Sequence, residues 1–474
     1  MFQTLKNAWK TQELRTKLLF TLLIVILYRL GSAIPVPFVE GISDGINLGM
    51  NYAVSMIAGD AMAQAALFAL GVSPYITSSI IVQLLTFAIP ALERWAKEGE
   101  EGKKKIDRMT RIITLVLALV TAVGYAGLLV SNNYTSIELT GKAKNVFVNV
   151  FQSDNLAGFK FVVMVACYIA GAMLVMWLAE KVNDHGIGNG ISIILFANII
   201  ARLPSLFVNF FYMIKNGIVS KDTATLIMSI VWPIIVLAFM IAIVWLIVWF
   251  TESERRIPIQ YAKKVVGRKM YGGASSNLPL KLNMAGVMPV IFANSIVSIP
   301  QTLAMMIGAA WLTNLSTYYF NYTKPLYVVL SIILLFAFAY FYIFMSFNPT
   351  EVANNIRNNG GVVPGIRPGK PTRDYIKKIL HRVTLIGAIF LCVVSEVPKI
   401  IVALFELCKD IFTIGGGTSK FLEGIVTFYN NGGSTFQTVA FAGTSILIVV
   451  GVVLETVREL EAQLTMRNMK GFLD

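Results

Sequence analysis

Residues 65–90 read AALFALGVSPYITSSIIVQLLTFAIP, and no Asp, Glu, Lys or Arg occurs anywhere from 61 to 92. A bilayer core about 30 Å thick takes about 20 mostly apolar residues as a helix, so this stretch reads as a membrane span. Pro74 interrupts it early. Immediately before it, YAVSMIAGDAMAQ (52–64) is weakly apolar and too short to span. That segment is either half-inserted or an external amphipathic loop. Irregular backbone at membrane depth is tolerated only where protein or a water-filled cavity surrounds it.

Working outward, the same test finds nine more apolar runs, near 18–34, 112–130, 157–179, 191–213, 225–250, 284–311, 325–347, 383–402 and 439–456. Only helices satisfy their own backbone in lipid without closing a barrel, and runs this long exclude barrel strands. The expected fold is all-α, a polytopic bundle of ten transmembrane helices. Composition agrees. Of 474 residues, 56% are hydrophobic and 14% charged, and the mean hydropathy is +0.69. Soluble domains are about a quarter charged.

The net charge of +14 is unevenly spread. Lys and Arg crowd the segment before the first run and the loops after the second, sixth and eighth, whereas the loop around 35–60 has only Glu40, Asp44 and Asp60. With ten spans every basic loop falls on one side, and both termini are then cytoplasmic by the positive-inside rule. One missed span would scatter the basic loops over both sides. The N-terminus runs into RLGSAIPVP (29–37) without a small-residue cleavage site, so the first run reads as a retained span.

Ionisable residues inside a bilayer are costly and mark ion or proton pathways. Arg29 and Arg202 are read as the ones within or near the end of a run, both able to snorkel to an interface. Spans this clean count against proton-relay chemistry. The seventh run carries Pro289, Pro300, Asn283, Asn294, Ser295 and Gln301. These polar groups either bond between helices or face a cavity.

Catalytic signatures are absent. GIGNGIS (186–192) lacks the spacing and the preceding strand of a nucleotide loop, and GIRPGKPT (365–372) lacks the first glycine of a phosphate-binding loop. His185 and His381 form no zinc motif. Cys167, Cys392 and Cys408 have no pairing or metal spacing. No nucleophile–base pair stands out, and no cofactor or metal is expected.

Read in order, the blocks RLGSAIPVP, ALFALGVSPYITSSIIVQLL, KEGEEGKKKIDRMTR (97–111), GIGNGISIILFA (186–197), ERRIPIQYAKK (254–264) with LPLKLNMAGVMPVIFA (278–293), FNPTEVANNIRNNGGVVPGIRPGKPT (347–372) and GTSILIVVGVVLE (443–455) resemble the SecY family along nearly the whole chain. The resemblance implies ten helices in two pseudo-symmetric halves, 1–215 and 216–474, hinged between the fifth and sixth spans. It implies a passive protein-conducting channel of the cell membrane, opening across the membrane and sideways into lipid.

Carried over by motif, a hydrophobic constriction falls on Val72, Ile76, Ile191, Leu195, Ile291 and Ile448. An aliphatic ring dewets when empty, which blocks ions. A plug falls near Tyr52, Met56, Ile57, Gly59 and Asp60, and a lateral gate near Thr77, Gln83, Asn294 and Ser295. Arg255, Arg256, Lys263, Lys264, Arg268 and Arg367 fall on cytosolic docking loops. The partners implied are small SecE- and SecG-like membrane subunits, a SecA-type motor ATPase, the ribosome through its RNA phosphates, signal peptides and nascent secretory chains, and membrane lipids. The chain departs from the family pattern at Asp60 and Gln64, where glycine and arginine are common, and in the long glycine-rich loop 403–438. The competing expectation is a secondary transporter of a small solute, since a proline-broken helix in each half also fits that architecture. A buried carboxylate would favour it.

Overall fold

The computed structural model describes residues 6, 8–39, 60–131, 135, 155–219, 223–261, 264–266, 269–271, 275–300, 304, 310–319, 324–415 and 443–466. The helices in chain order are α1 (Gln12–Ala33), α2 (Asp60–Ala63), α3 (Ser73–Ala88), α4 (Pro90–Lys97), α5 (Glu100–Ser131), α6 (Asn155–His185), α7 (Gly190–Val219), α8 (Thr223–Glu252), α9 (Met288–Val297), α10 (Ala310–Tyr319), α11 (Pro325–Ser346), α12 (Pro349–Asn358) and α13 (Lys370–Gly415). A last helix, α14, covers 443–466. Seven of the described helices are long and apolar enough to span a membrane alone, and α3 with α4 makes an eighth if that bent pair is counted as one. Of the ten expected spans, the seventh is helical mainly over the short α9, and α14 carries Glu455, Arg458 and Glu459 beyond its apolar stretch.

The run 65–90 is not one helix. Residues 64–72 form tight turns, and α3 begins at Ser73 with Pro74 in its first turn. Proline lacks the N–H that a helix interior needs, but the first turn leaves that group unused, so Pro74 starts the helix and does not break it. The turn segment is pinned by backbone bonds to the exit of α1, Val36 N–H to the Ala65 carbonyl at 3.2 Å and Leu67 N–H to the Ile34 carbonyl at 2.8 Å. The Tyr125 hydroxyl of α5 donates to the Met62 carbonyl at 2.5 Å. At Ile89 the chain turns by 102° into α4, and the expected basic loop is largely helical, α4 leading through Glu98 and Gly99 into α5.

The chain is not purely helical. Strands β1 (Glu254–Tyr261), β2 (Lys264–Val266), β3 (Lys269–Tyr271), β4 (Ser275–Lys281) and β5 (Gly361–Val362) occupy the two basic loops after α8 and α11. β1 pairs antiparallel with β4, Ile257 opposite Leu278, and β5 adds to the other edge of β1, Val362 opposite Gln260. On the buried face of this sheet, Ile259 packs with Ile356 of α12 and Ile376 of α13, and Ile257 and Leu280 pack with Val363 just beyond β5 and with Ile379 of α13. The two loops therefore form one structural unit.

The helices pack in two groups. α3, α5, α6, α1 and α7 pack successively together, as do α9, α11, α13 and α12. α7 packs on α8, and α3 on α9.

The expectation that Arg29 and Arg202 are the only ionisable residues in spans does not hold. Lys160 lies within α6, its ammonium 5.8 Å from the Phe38 ring. Glu396 and Lys399 lie in α13 at 2% and 0% exposure. Their side chains pair at 3.0 Å, and Glu396 also accepts from Ser331 Oγ of α11 at 2.9 Å. A bare carboxylate here would cost far more than a paired and hydrogen-bonded one, and its partners on two helices supply that compensation. Arg29 does not snorkel; its guanidinium donates to the Ala197 and Asn198 carbonyls of α7.

Candidate functional site

The six aliphatic residues expected to ring a constriction come from four separate places, the entry of α3 (Val72, Ile76), the first turns of α7 (Ile191, Leu195), α9 (Ile291) and α14 (Ile448). All six fall in one apolar cluster. Val72, Ile76, Leu195 and Ile291 are buried, with Ile191 and Ile448 half-buried against them. The cluster also takes in α1, α6, α8, α11 and α13, so membership places the six in a shared interior without singling them out. Close helix approach helps bring them there. Gly451 of α14 faces Val287 at the entry of α9 so tightly that a Cβ would come within 2.1 Å of Val287 Cγ2.

The seam between α3 and α9 is apolar in its bonding. Thr77 Oγ1 donates to the Ser73 carbonyl at 3.0 Å and Ser295 Oγ to the Ile291 carbonyl at 2.8 Å, each within its own helix. Gln83 and Asn294 are half-buried. Among the described residues no hydrogen bond joins α3 to α9. At the far end of α3, the Phe87 ring meets Phe341 of α11 edge-on at 5.8 Å.

Of the expected plug residues, Tyr52, Met56, Ile57 and Gly59 lie outside the described residues, and Asp60 opens the four-residue α2. Of the expected docking residues, Lys263 and Arg268 lie outside the described residues, and Lys264 begins β2. Arg255 and Arg256 are exposed on β1, with Arg256 Nε 2.6 Å from Glu254 Oε1. Arg367 is exposed at the turn beyond β5, where its carbonyl accepts from Thr372 Oγ1 at 2.9 Å. Pro364 and Pro368 stiffen this turn. Gly365 and Gly369, at φ +81° and +102°, adopt backbone conformations that other residues rarely accept.

Between the sheet and the membrane helices lies a cavity of about 430 Å³, lined among others by Lys281, Asn283, Val287, Phe390, Gly451 and Arg458. Burial, and then the neighbouring Arg458 charge, hold the Lys281 ammonium below the usual lysine range. Asn283 is buried at 8% exposure with its Oδ1 unbonded. Among the described residues no group of His, Cys, Asp and Glu is placed to hold a metal.

Sequence reasoning missed two polar ties. One is the Ser331–Glu396–Lys399 cluster. The other is the buried pair Ser78 Oγ and Thr114 Oγ1, 2.5 Å apart, between α3 and α5. The first was legible as SEVPK (395–399) inside an apolar run; the second has no local signature.

Comparison with known proteins bears directly on this arrangement. The chain is 39% identical over 485 residues to a protein translocase subunit SecY of Streptomyces galbus, with both chains fully covered. It is 36% identical over 481 residues, again at full coverage, to the protein translocase subunit SecY of Halalkalibacterium halodurans. In overall shape it resembles a solved protein-conducting channel, with a TM-score of 0.61 at 16% identity over 94% of this chain and 92% of that one. It also resembles Sec61 in a canine ribosome–channel complex, with a TM-score of 0.58 at 15% identity and the same coverages. Residues 66–457 match the SecY family, and the chain belongs to it.

Proposed function

We propose that this multi-pass membrane protein is the pore-forming subunit of a protein translocase, passing unfolded secretory polypeptides across the cell membrane and releasing hydrophobic segments sideways into lipid. The observation that carries the reading is an apolar interior to which four separate parts of the chain contribute aliphatic side chains, next to two packed helices, α3 and α9, that no hydrogen bond joins among the described residues. Val72, Ile76, Ile191, Leu195, Ile291 and Ile448 form the constriction. Such a ring sheds water when empty and offers a passing chain no fixed hydrogen-bonding pattern. Thr77, Gln83, Asn294 and Ser295 line the gate, with a plug near 52–62. Separation of α3 from α9 exposes a translocating helix to lipid, and transfer of its apolar surface, worth about 25 cal/mol per Å², drives it out.

The halves 1–215 and 216–474 move about the α7–α8 connection, with both termini cytoplasmic. Arg255, Arg256, Lys263, Lys264, Arg268 and Arg367 present cations to a motor ATPase or to ribosomal RNA, and contacts with RNA phosphates weaken with salt. Small membrane subunits complete the complex. The channel itself consumes no nucleotide. A small-solute transporter is not favoured, because the relatives over the full length are translocase subunits. The carboxylate that would have supported a transporter, Glu396, is already engaged by Lys399 and Ser331.

The test is protease protection of a labelled secretory precursor in proteoliposomes holding this protein, its small membrane partners and a translocation ATPase. ATP-dependent protection that disappears in Arg367→Glu supports both channel and docking turn. Protection that survives the reversal removes the docking role of Arg367. No protection by a folded, assembled complex overturns the channel.

A further inference from the structure

The turn 186–189 between α6 and α7 reads Gly-Ile-Gly-Asn, and it is gripped from both ends of the chain. From α1, Thr21 Oγ1 accepts the Ile187 N–H at 3.1 Å. From α14, Glu459 Oε2 accepts the Gly188 N–H at 2.7 Å. The second Glu459 oxygen accepts from Gln463 Nε2 at 3.2 Å, and Gln463 Oε1 in turn accepts from Lys17 Nζ at 3.3 Å. Gly188 has φ +81°, and a Cβ there would sit 3.1 Å from Thr456 Oγ1, so both backbone and space call for glycine. Buried Leu14, Ile187 and Leu460 seal the joint, with Leu18 and Leu464 against them. The glycines of this motif thus serve a close helix approach and not a nucleotide.

We infer that Glu459 is a positioning residue for the constriction. This rests on the assignment of Ile191, Leu195 and Ile448 to that ring. Ile191 follows the gripped turn by one residue beyond Gly190, and Leu195 lies one helical turn further along α7. Ile448 stands on the same helix as Glu459, about three turns away. The carboxylate therefore ties two ring-bearing helices, α7 and α14, at a common base. It sets the height and rotation at which α7 presents its aliphatic residues to α14. Without that acceptor the Gly188 N–H loses its partner, and the closed ring loses one of the bonds that favour it over an open one.

The test is resting ion conductance per channel in planar bilayers, measured on the assembled complex without precursor. Glu459→Ala should raise the resting open fraction about fivefold, the equilibrium shift that one net hydrogen bond supplies. Glu459→Gln keeps an oxygen that accepts from the Gly188 N–H and should stay near the unaltered protein. A misfolded channel loses conductance, so a gain is not a folding defect. The double variant Ile76→Ala with Ile191→Ala tests the ring itself, and its failure to leak overturns the ring assignment. If that variant leaks while Glu459→Ala does not, the ring stands and the positioning role falls. Equal leaks from the alanine and glutamine variants overturn the hydrogen-bond account.

Discussion

Helix α3 packs on both α5 and α9 and is joined to them in different ways. Against α5 it buries a direct hydroxyl pair, Ser78 with Thr114, both fully enclosed. With α9 it shares no hydrogen bond among the described residues: the Thr77 hydroxyl is satisfied inside α3, and the Ser295 hydroxyl inside α9. The same division appears across the seam. α9 meets α11 through Phe292 edge-on to Phe338 at 5.8 Å, and α11 is tied to α13 by Ser331 and Glu396. Polar bonds join α3 to α5 and α11 to α13, whereas among the described residues no hydrogen bond joins α3 to α9. Polar bonds between helices in an apolar medium have no water to replace them when they part. Packing contacts can be exchanged for lipid or for a guest helix at little cost. Under the proposed channel, the contrast predicts that α3 and α5 travel together and that α3 parts from α9.

The contrast can be broken most severely at α13. Lys399→Met leaves Glu396 buried without its cation and should cost about 3–5 kcal/mol of unfolding free energy in mixed micelles. The double variant Lys399→Met with Glu396→Leu should recover most of that. A single variant as stable as the parent would show that the pair does not hold α13. A smaller loss is expected for Ser78→Ala or Thr114→Val, about 0.6–1.7 kcal/mol, the range for a side-chain bond between membrane helices. The smallest is expected for Thr77→Val and Ser295→Ala, no more than about 0.5 kcal/mol, since neither hydroxyl bonds outside its own helix. If these seam variants cost as much as Ser78→Ala, the two faces of α3 are not built differently, and the seam loses its claim to be the moving one.

The helices were legible because length and hydropathy are local quantities. The charge-free stretches from 223 to 251 and from 325 to 350 correspond to α8 and α11 almost residue for residue. The sheet was less so. Ile257 and Ile259 in ERRIPIQY, and Leu278 and Leu280 in SNLPLK, alternate as a half-buried strand should. Their basic neighbours drew the reading toward charge and away from period. Pro74 misled because a proline within an apolar run signals a break only when the run is helical on both sides of it. Glu396 and Lys399 were overlooked, although a cation three residues after an anion on a helix is a self-neutralising pair. The gathering of Val72, Leu195, Ile291 and Ile448 has no local signal at all, since it depends on helices brought together from distant parts of the chain.

The three-stranded sheet has a mechanical side. β4 ends at Lys281 and α9 begins at Met288, and the short link between them is anchored where the Leu282 N–H donates to the Ser253 carbonyl at 2.9 Å. β5, which leads into the Arg367 turn, is laddered to the same strand that pairs with β4. Through β1, one hydrogen-bonded sheet therefore links the exposed turn beyond β5 to the entry of α9, two segments about eighty residues apart in sequence.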